Sequence, residues 1–253
     1  MEIFLLRRKE HHQVEVYDVI NYCLQRCLTV PSCRGLTDMT SCEHFLCIYV
    51  ADFIVRCIHR LDSQSQGKTA PTQWPVNDRP EGLSVNRAHN LLVTCPDVHK
   101  IKEFNSDGGS LREIVLPDGV INPFHAIQLT SGQFVVCHGV YGDPVQRVCI
   151  ISADGGQIVH SHGGRKGSNT DECDGPIRVA VDSGEHVYIA DRNNRRVKLL
   201  SPTLAYVRDV VPSDLLKWLP CRLCLGEQSR HLYIAESGLI QGWQVDSRTC
   251  CGV

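Results

Sequence analysis

One pattern recurs along almost the whole chain and limits its possible folds more than any other feature. In Arg178–Leu200, RVAVDSGEHVYIADRNNRRVKLL, a short apolar strand is followed by a polar turn and a second strand that ends in an acid. A basic turn and a third strand complete the run. Gly82–Phe104, Ala126–Ile151 and Arg222–Val245 share the plan, and Gly35–Leu61 fits it with a longer first turn. The leading strands begin near Leu36, Leu83, Ile127, Val179 and Leu223, a period of roughly 44 to 52 residues. Such a period, with about four strands per unit, is the signature of propeller blades. The expected fold is all-β: a six-bladed β-propeller of four-stranded antiparallel blades.

The blades are expected at about residues 1–32, 33–77, 78–120, 121–173, 174–217 and 218–253, in one domain. At the start, Glu2–Leu6, Val14–Tyr17 and Leu24–Val30 fit second, third and fourth strands whose first strand is missing. At the end, Arg222–Leu225, His231–Ala235 and Gly242–Val245 supply three strands. Each end thus lacks a different strand, which leaves two readings: a piece of a larger protein, or one incomplete terminal blade. Ser213–Leu219, between a capping Ser213 and a stopping Pro220, predicts a helical turn. Gly163–Gly175, with four glycines, reads as a mobile loop.

A net charge of −2 argues against a dedicated nucleic-acid binder, which needs a strongly basic domain. No apolar run approaches the ~18 residues that a membrane span requires. Met1–Leu6 precedes Arg7, Arg8 and Lys9, the reverse order of a secretion signal, so a cytoplasmic location is expected. Of the 14 cysteines, Cys47, Cys57, Cys95, Cys137, Cys149 and Cys224 stand at or beside places that Val, Ile or Leu takes in other copies. They read as small buried hydrophobes in the reduced state. Cys221 and Cys224 form a CxxC, but in a strand that spacing puts the two side chains on opposite faces, a structural pair.

Val187–Val197, VYIADRNNRRV, resembles the NHL repeat, an apolar strand ending in Asp, two residues, Asn, one residue, Arg and a β-branched residue. Asp191, Asn194, Arg196 and Val197 take those places. Other copies depart from the pattern: Asp52, Val55, Cys57 and Ile58 keep the acid and the apolar end, and Cys95, Val98, Lys100 and Ile101 keep only a basic residue in the Arg place. The motif has a local physical reason. The Asp accepts hydrogen bonds from the turn's backbone amides, the Asn tolerates left-handed backbone, and the Arg lies back to pair with the Asp. Asp191, Asn194, Arg196 and Asp52 are therefore read as structural. The resemblance implies a recognition platform: many such propellers end ubiquitin ligases after RING, B-box and coiled-coil segments, and others bind RNA or proteins. No RING-type cysteine and histidine series occurs here, so in such a ligase this chain would be the substrate-recognition part.

In an antiparallel meander the turn between strands two and three opens on the same side as the link to the next blade. That side collects Arg8, Lys9, His11, His12, Asp52, Arg56, Asp78, Arg79, His99, Lys100, Arg165, Lys166, Arg192 and Arg195, whose basic members are a candidate face for phosphates or an acidic peptide. Asp171, Glu172 and Asp174 share the loop of Arg165 and Lys166, and few aromatics are interleaved, which disfavours single-stranded RNA. For a metal-dependent, lactonase-like hydrolase the candidates are Glu81 and His125, with Asp174 and Arg178. They fall short of the three ligands and open position that a hydrolytic metal needs. His160 and His162 read as surface histidines, Cys137–His138 points to opposite strand faces, and no GxSxG elbow is present. The expectation is a non-catalytic module without cofactor that binds a protein partner, with RNA binding and a channel hydrolase as alternatives.

Overall fold

The computed structural model describes residues 3–8, 13–18, 23–30, 33–64, 71–139, 142–226, 231–236 and 239–244. The chain forms two compact units, Met1–Leu116 and Pro117–Val253. In the first, strands β1 (Ile3–Arg8), β2 (Gln13–Asp18) and β3 (Leu24–Thr29) form a three-stranded sheet. Strands β4 (Leu36–Cys42), β5 (Cys47–Asp52), β6 (Cys57–Asp62) and β7 (Thr72–Pro75) form the next sheet. β8 (Gly82–Val85), β9 (Leu91–Cys95), β10 (Lys100–Phe104) and β11 (Ser110–Val115) form the third.

In the second unit, β12 (Pro123–Gln128), β13 (Phe134–His138), β14 (Arg147–Ile151) and β15 (Ile158–Gly163) pair in chain order. So do β16 (Pro176–Val181), β17 (Val187–Asp191), β18 (Arg196–Leu200) and β19 (Tyr206–Val211). β20 (Arg222–Gly226), β21 (His231–Glu236) and β22 (Leu239–Gln244) form a three-stranded sheet. Neighbouring strands within these sheets pair antiparallel, as short connections allow.

The middle strands are buried along their whole length: β5, β9, β13 and β17 have no exposed residue. Strands covered on both faces read as continuous apolar runs, which is why IYVA, LLVT, FVVC and VYIA carry so little polarity. In the first unit one cluster joins Tyr49, Ile58 and Trp74 to Leu83, Leu91 and Phe104, and another joins Val14, Val16 and Leu28 to Met39, Ile48 and Val50. In the second, Val135, Val148 and Ile150 meet Val179, Ile189 and Leu200, while Tyr188, Val197 and Leu199 meet Leu232 and Ile234. Core burial in each unit is therefore mostly sheet against sheet.

Several expectations need correction. Ser213–Leu219 holds no helix: it runs as turns, with Leu216 buried. β22 starts at Leu239 instead of Gly242. Among the described residues no helix is long and apolar enough to cross a membrane.

Candidate functional site

The turn between the second and third strands of each four-stranded sheet is built around one register position. The last residue of the second strand pairs with the first of the third: Asp52 with Cys57, Cys95 with Lys100, His138 with Arg147 and Asp191 with Arg196. The residue two further on, on the same strand side, is His59, Lys102, Cys149 or Lys198. All four of these residues are buried.

Around Asp191, which is fully buried, the motif closes as a network. Its carboxylate accepts the Asp174 amide at 2.7 Å, the Asn194 side-chain amide at 2.9 Å and Arg196 Nε at 2.8 Å. Burial pushes this carboxyl up, against the pull of those three donors. Arg196 also donates to the Asn169 carbonyl at 3.0 Å and faces Asp209 at 3.6 Å. The fully buried Lys198 donates to the carbonyls of Asn169, Thr170 and Glu172, stands 3.4 Å from His162 Nε2 and lies over the Tyr206 ring. The segment expected to be mobile, Gly163–Gly175, is therefore held by Asn194, Arg196 and Lys198 against strand β18. Its glycines serve this path. Gly175, at φ +70°, donates to Gln146 Oε1 at 2.5 Å, and its carbonyl accepts the Arg192 amide.

Two readings change here. The left-handed residue of the turn is Arg195 (φ 51°), not Asn194, and Arg56 and His99 take the same conformation. His162 is a buried residue, not a surface one; burial first and then the Lys198 charge lower it to about 4.

Lys102 performs in the first unit the task of Lys198. It donates to the Val76 carbonyl at 3.0 Å and pairs with Asp78 at 2.6 Å, tying down the link that enters β8. The sheet of β4–β7 differs. Asp52 accepts four backbone amides, from Arg34, Gly35, Ile54 and Val55, at 2.6 to 3.2 Å. Desolvation pushes its carboxyl up, but those amides and the Cys33 thiol outweigh it, and the group lies below the usual range. Cys57 and His59 stand where Arg196 and Lys198 stand in the second unit.

The turn after Asp52 also has its own surface. Phe53, Ile54 and Val55 are 38, 53 and 42% exposed, three apolar side chains in a row where the second unit has Arg192, Asn193 and Asn194. They lie against Gly35, where a Cβ would come within 2.5 Å of both Phe53 and Ile54. Arg79 sits 6.0 Å from the Phe53 ring, and Arg34, next to Gly35, and Arg56, next to Val55, are exposed.

In the second unit, the Asn194 bond to the Gly167 carbonyl (2.8 Å) brings the loop of Arg165 and Lys166 onto the turn of Arg192 and Arg195. Arg165, Lys166 and Arg195 are exposed. Lys166 faces Asp174 at 3.7 Å and Arg192 bonds Asn193 at 3.3 Å. Lys100, in the first unit, pairs with Glu113 at 2.7 Å on its own sheet. Lys9, His11 and His12 lie outside the described residues, as does the Arg8 side chain. Glu81 is buried and held by Arg79 at 2.8 Å, while His125 is buried on β12 of the second unit. The residues that sequence reasoning missed are Cys33, His59, Lys102 and Lys198. The signal for three of them was the period of two counted on from the motif arginine.

Residues 174–198 match the NHL repeat family. No curated protein matches the sequence. Among solved structures, the chain is similar to one in the nidogen/laminin complex at 16% identity, covering 89% of this chain and 82% of that one, with TM-score 0.69. It is similar to hydrazine synthase of Kuenenia stuttgartiensis at 14% identity, covering 96% and 92%, with TM-score 0.68. It is also similar to virginiamycin B lyase from Staphylococcus aureus at 11% identity, covering 95% and 80%, with TM-score 0.61. At these identities the likeness concerns the fold, an all-β propeller of four-stranded antiparallel blades.

Proposed function

We propose that this NHL-repeat propeller is a non-catalytic recognition module that binds a protein partner through the turns between second and third strands. The observation that carries the reading is the exposed run Phe53–Ile54–Val55 with its arginine rim. An apolar centre ringed by arginine is the composition of a protein interface, and a turn has no folding reason to expose three large apolar side chains. In a ubiquitin-ligase-like parent, such a surface would select the substrate.

The polar face of the second unit supports the alternative RNA reading less well. Asp171 and Asp174 accompany its cations, Lys166 is engaged by Asp174, and no aromatic ring is described among Arg165, Lys166, Arg192 and Arg195 for bases to stack on. Glu81 has a structural occupation with Arg79, so a channel hydrolase gains nothing from it.

Affinity capture from lysate of the source cells tests the proposal, using three forms of the chain. Phe53→Asp with Ile54→Asp is expected to lose a nuclease-resistant protein partner, and Arg165→Glu with Arg192→Glu and Arg195→Glu to keep it. A partner unaffected by the Phe53 and Ile54 changes overturns the proposal. Capture that depends on RNA and steeply on salt, and that vanishes with the arginine reversals, replaces it with the RNA reading.

A further inference from the structure

Three donor side chains meet beneath the turn of the β4–β7 sheet, and a fourth, Cys57, touches one of them. The Sγ of Cys33, a carboxylate oxygen of Asp52 and a ring nitrogen of His59 all lie within 4.8 Å of one another, and all three residues are buried. His59 Nε2 is 3.8 Å from Asp52 Oδ2 and 3.4 Å from Cys57 Sγ. Zinc bound at about 2.3 Å to sulfur and about 2.0 Å to nitrogen or oxygen in a tetrahedron separates neighbouring donors by roughly 3.3–3.8 Å. Both contacts of His59 fall on that edge length. The Cys33 group is held within a wider limit of 4.8 Å, so binding would draw its donors together.

The comparison with the 174–198 repeat adds a charge argument. There the buried carboxylate of Asp191 pairs with Arg196, and Lys198 places a second fixed cation on the same strand. At the matching positions beside Asp52 stand Cys57 and His59, and among the described residues no lysine or arginine pairs with Asp52. Cys33 precedes Arg34 and Gly35 as Cys173 precedes Asp174 and Gly175, so each link brings a thiol to the same place. Among the described residues, only in the first unit does it form a close group with an imidazole there. Backbone amides hold the Asp52 carboxylate where Asp191 also has a guanidinium, and a divalent ion at the replaced residues would supply the cation that is missing there.

We propose that Cys33, Asp52, Cys57 and His59 bind a structural zinc ion that fastens the link entering β4 to strand β6. The donor set of two sulfurs, one imidazole and one carboxylate selects zinc over calcium or magnesium, which take oxygen ligands. The carboxylate is already oriented: the amides of Gly35, Ile54 and Val55 hold Oδ1, and Oδ2, which accepts the Arg34 amide, also faces His59. Binding displaces the two thiol protons to solvent, so affinity rises with pH.

The test uses the full chain, purified reduced, with metal content by mass spectrometry and then cobalt in place of zinc. About one zinc per chain is expected, and the cobalt form should show thiolate charge transfer in the near ultraviolet with tetrahedral d–d bands. Cys57→Arg with His59→Lys installs the pair that accompanies Asp191, and should remove both signals while the circular dichroism of the fold remains. Cys23→Ser with Cys27→Ser, at two exposed cysteines, should keep both. If the Arg and Lys pair does not fold, Cys33→Ser alone should weaken the charge-transfer band by one sulfur's share. Metal-free protein without a cobalt spectrum, signals that survive Cys57→Arg with His59→Lys, or a band unchanged by Cys33→Ser each overturn the proposal.

Discussion

Replacing Arg196 by Met keeps the aliphatic stem in the sheet and removes the guanidinium. Asp191 is fully buried and would keep only the Asp174 amide and the Asn194 side chain, at 2.7 and 2.9 Å. Breaking one partner out of a buried ion pair costs about 3–5 kcal/mol, because the other charge is left uncompensated. The two retained hydrogen bonds place the expected loss at the lower end, about 3 kcal/mol. Asp191→Asn added to Arg196→Met removes the stranded charge. The double variant should therefore be more stable than the sum of the single losses, by about 2 kcal/mol of coupling. Because the chain has two compact units, a single unfolding midpoint mixes their contributions. Urea titration should be followed by hydrogen exchange of peptides covering 187–200, which report on this sheet alone. A loss below about 1 kcal/mol, or additive single and double effects, would show that Asp191 does not depend on Arg196 and would refute the reasoning.

Two more outcomes follow from the same buried groups. Lys198→Met removes the donor that holds the carbonyls of Asn169, Thr170 and Glu172, so 164–175 should exchange and be cut by protease at least ten-fold faster than in the parent, while β16 and β17 stay protected; an unchanged cleavage rate would mean the loop is held by other contacts. His138 and His162 are each lowered to about 4, by burial first and then by Arg147 and Lys198 respectively, against 6.5 for an ordinary imidazole. Between those values the unfolded chain binds protons that the folded chain refuses, so stability is full above pH 6.5 and falls as pH drops toward 4, by up to about 3 kcal/mol per histidine. Urea midpoints at pH 7 and pH 5 measure the slope, which His138→Gln with His162→Gln should flatten; the same slope in that variant would assign it to other groups.

The strands were legible because their side chains obey two simple patterns, continuous apolar runs in the covered middle strands and period two elsewhere. The Asp191, Asn194 and Arg196 network was legible too, since its members are near neighbours in sequence and bond across one turn. What escaped were side chains whose partners come from a distant link. Lys198, in RVKLL, carries no sign that three carbonyls 26 to 29 residues away will meet it. Nor does a glycine-rich stretch announce that it will be pinned.

The blades nevertheless hold a comparison that the chain itself supplies. Arg196 with Lys198, Lys100 with Lys102 and Cys57 with His59 are each two residues apart, hence on one side of a third strand. In two of these blades the later residue is a lysine that ties down the incoming link. Read singly, Cys57 and His59 are departures from a motif. Taken with Cys33, which reaches them from the link, they are a joint replacement: both cations are gone, a thiol and an imidazole stand beside the acid that remains, and a second thiol touches that imidazole. Four backbone amides hold the acid that remains, and an ion held by these donors would restore the positive charge that Arg196 and Lys198 place beside Asp191.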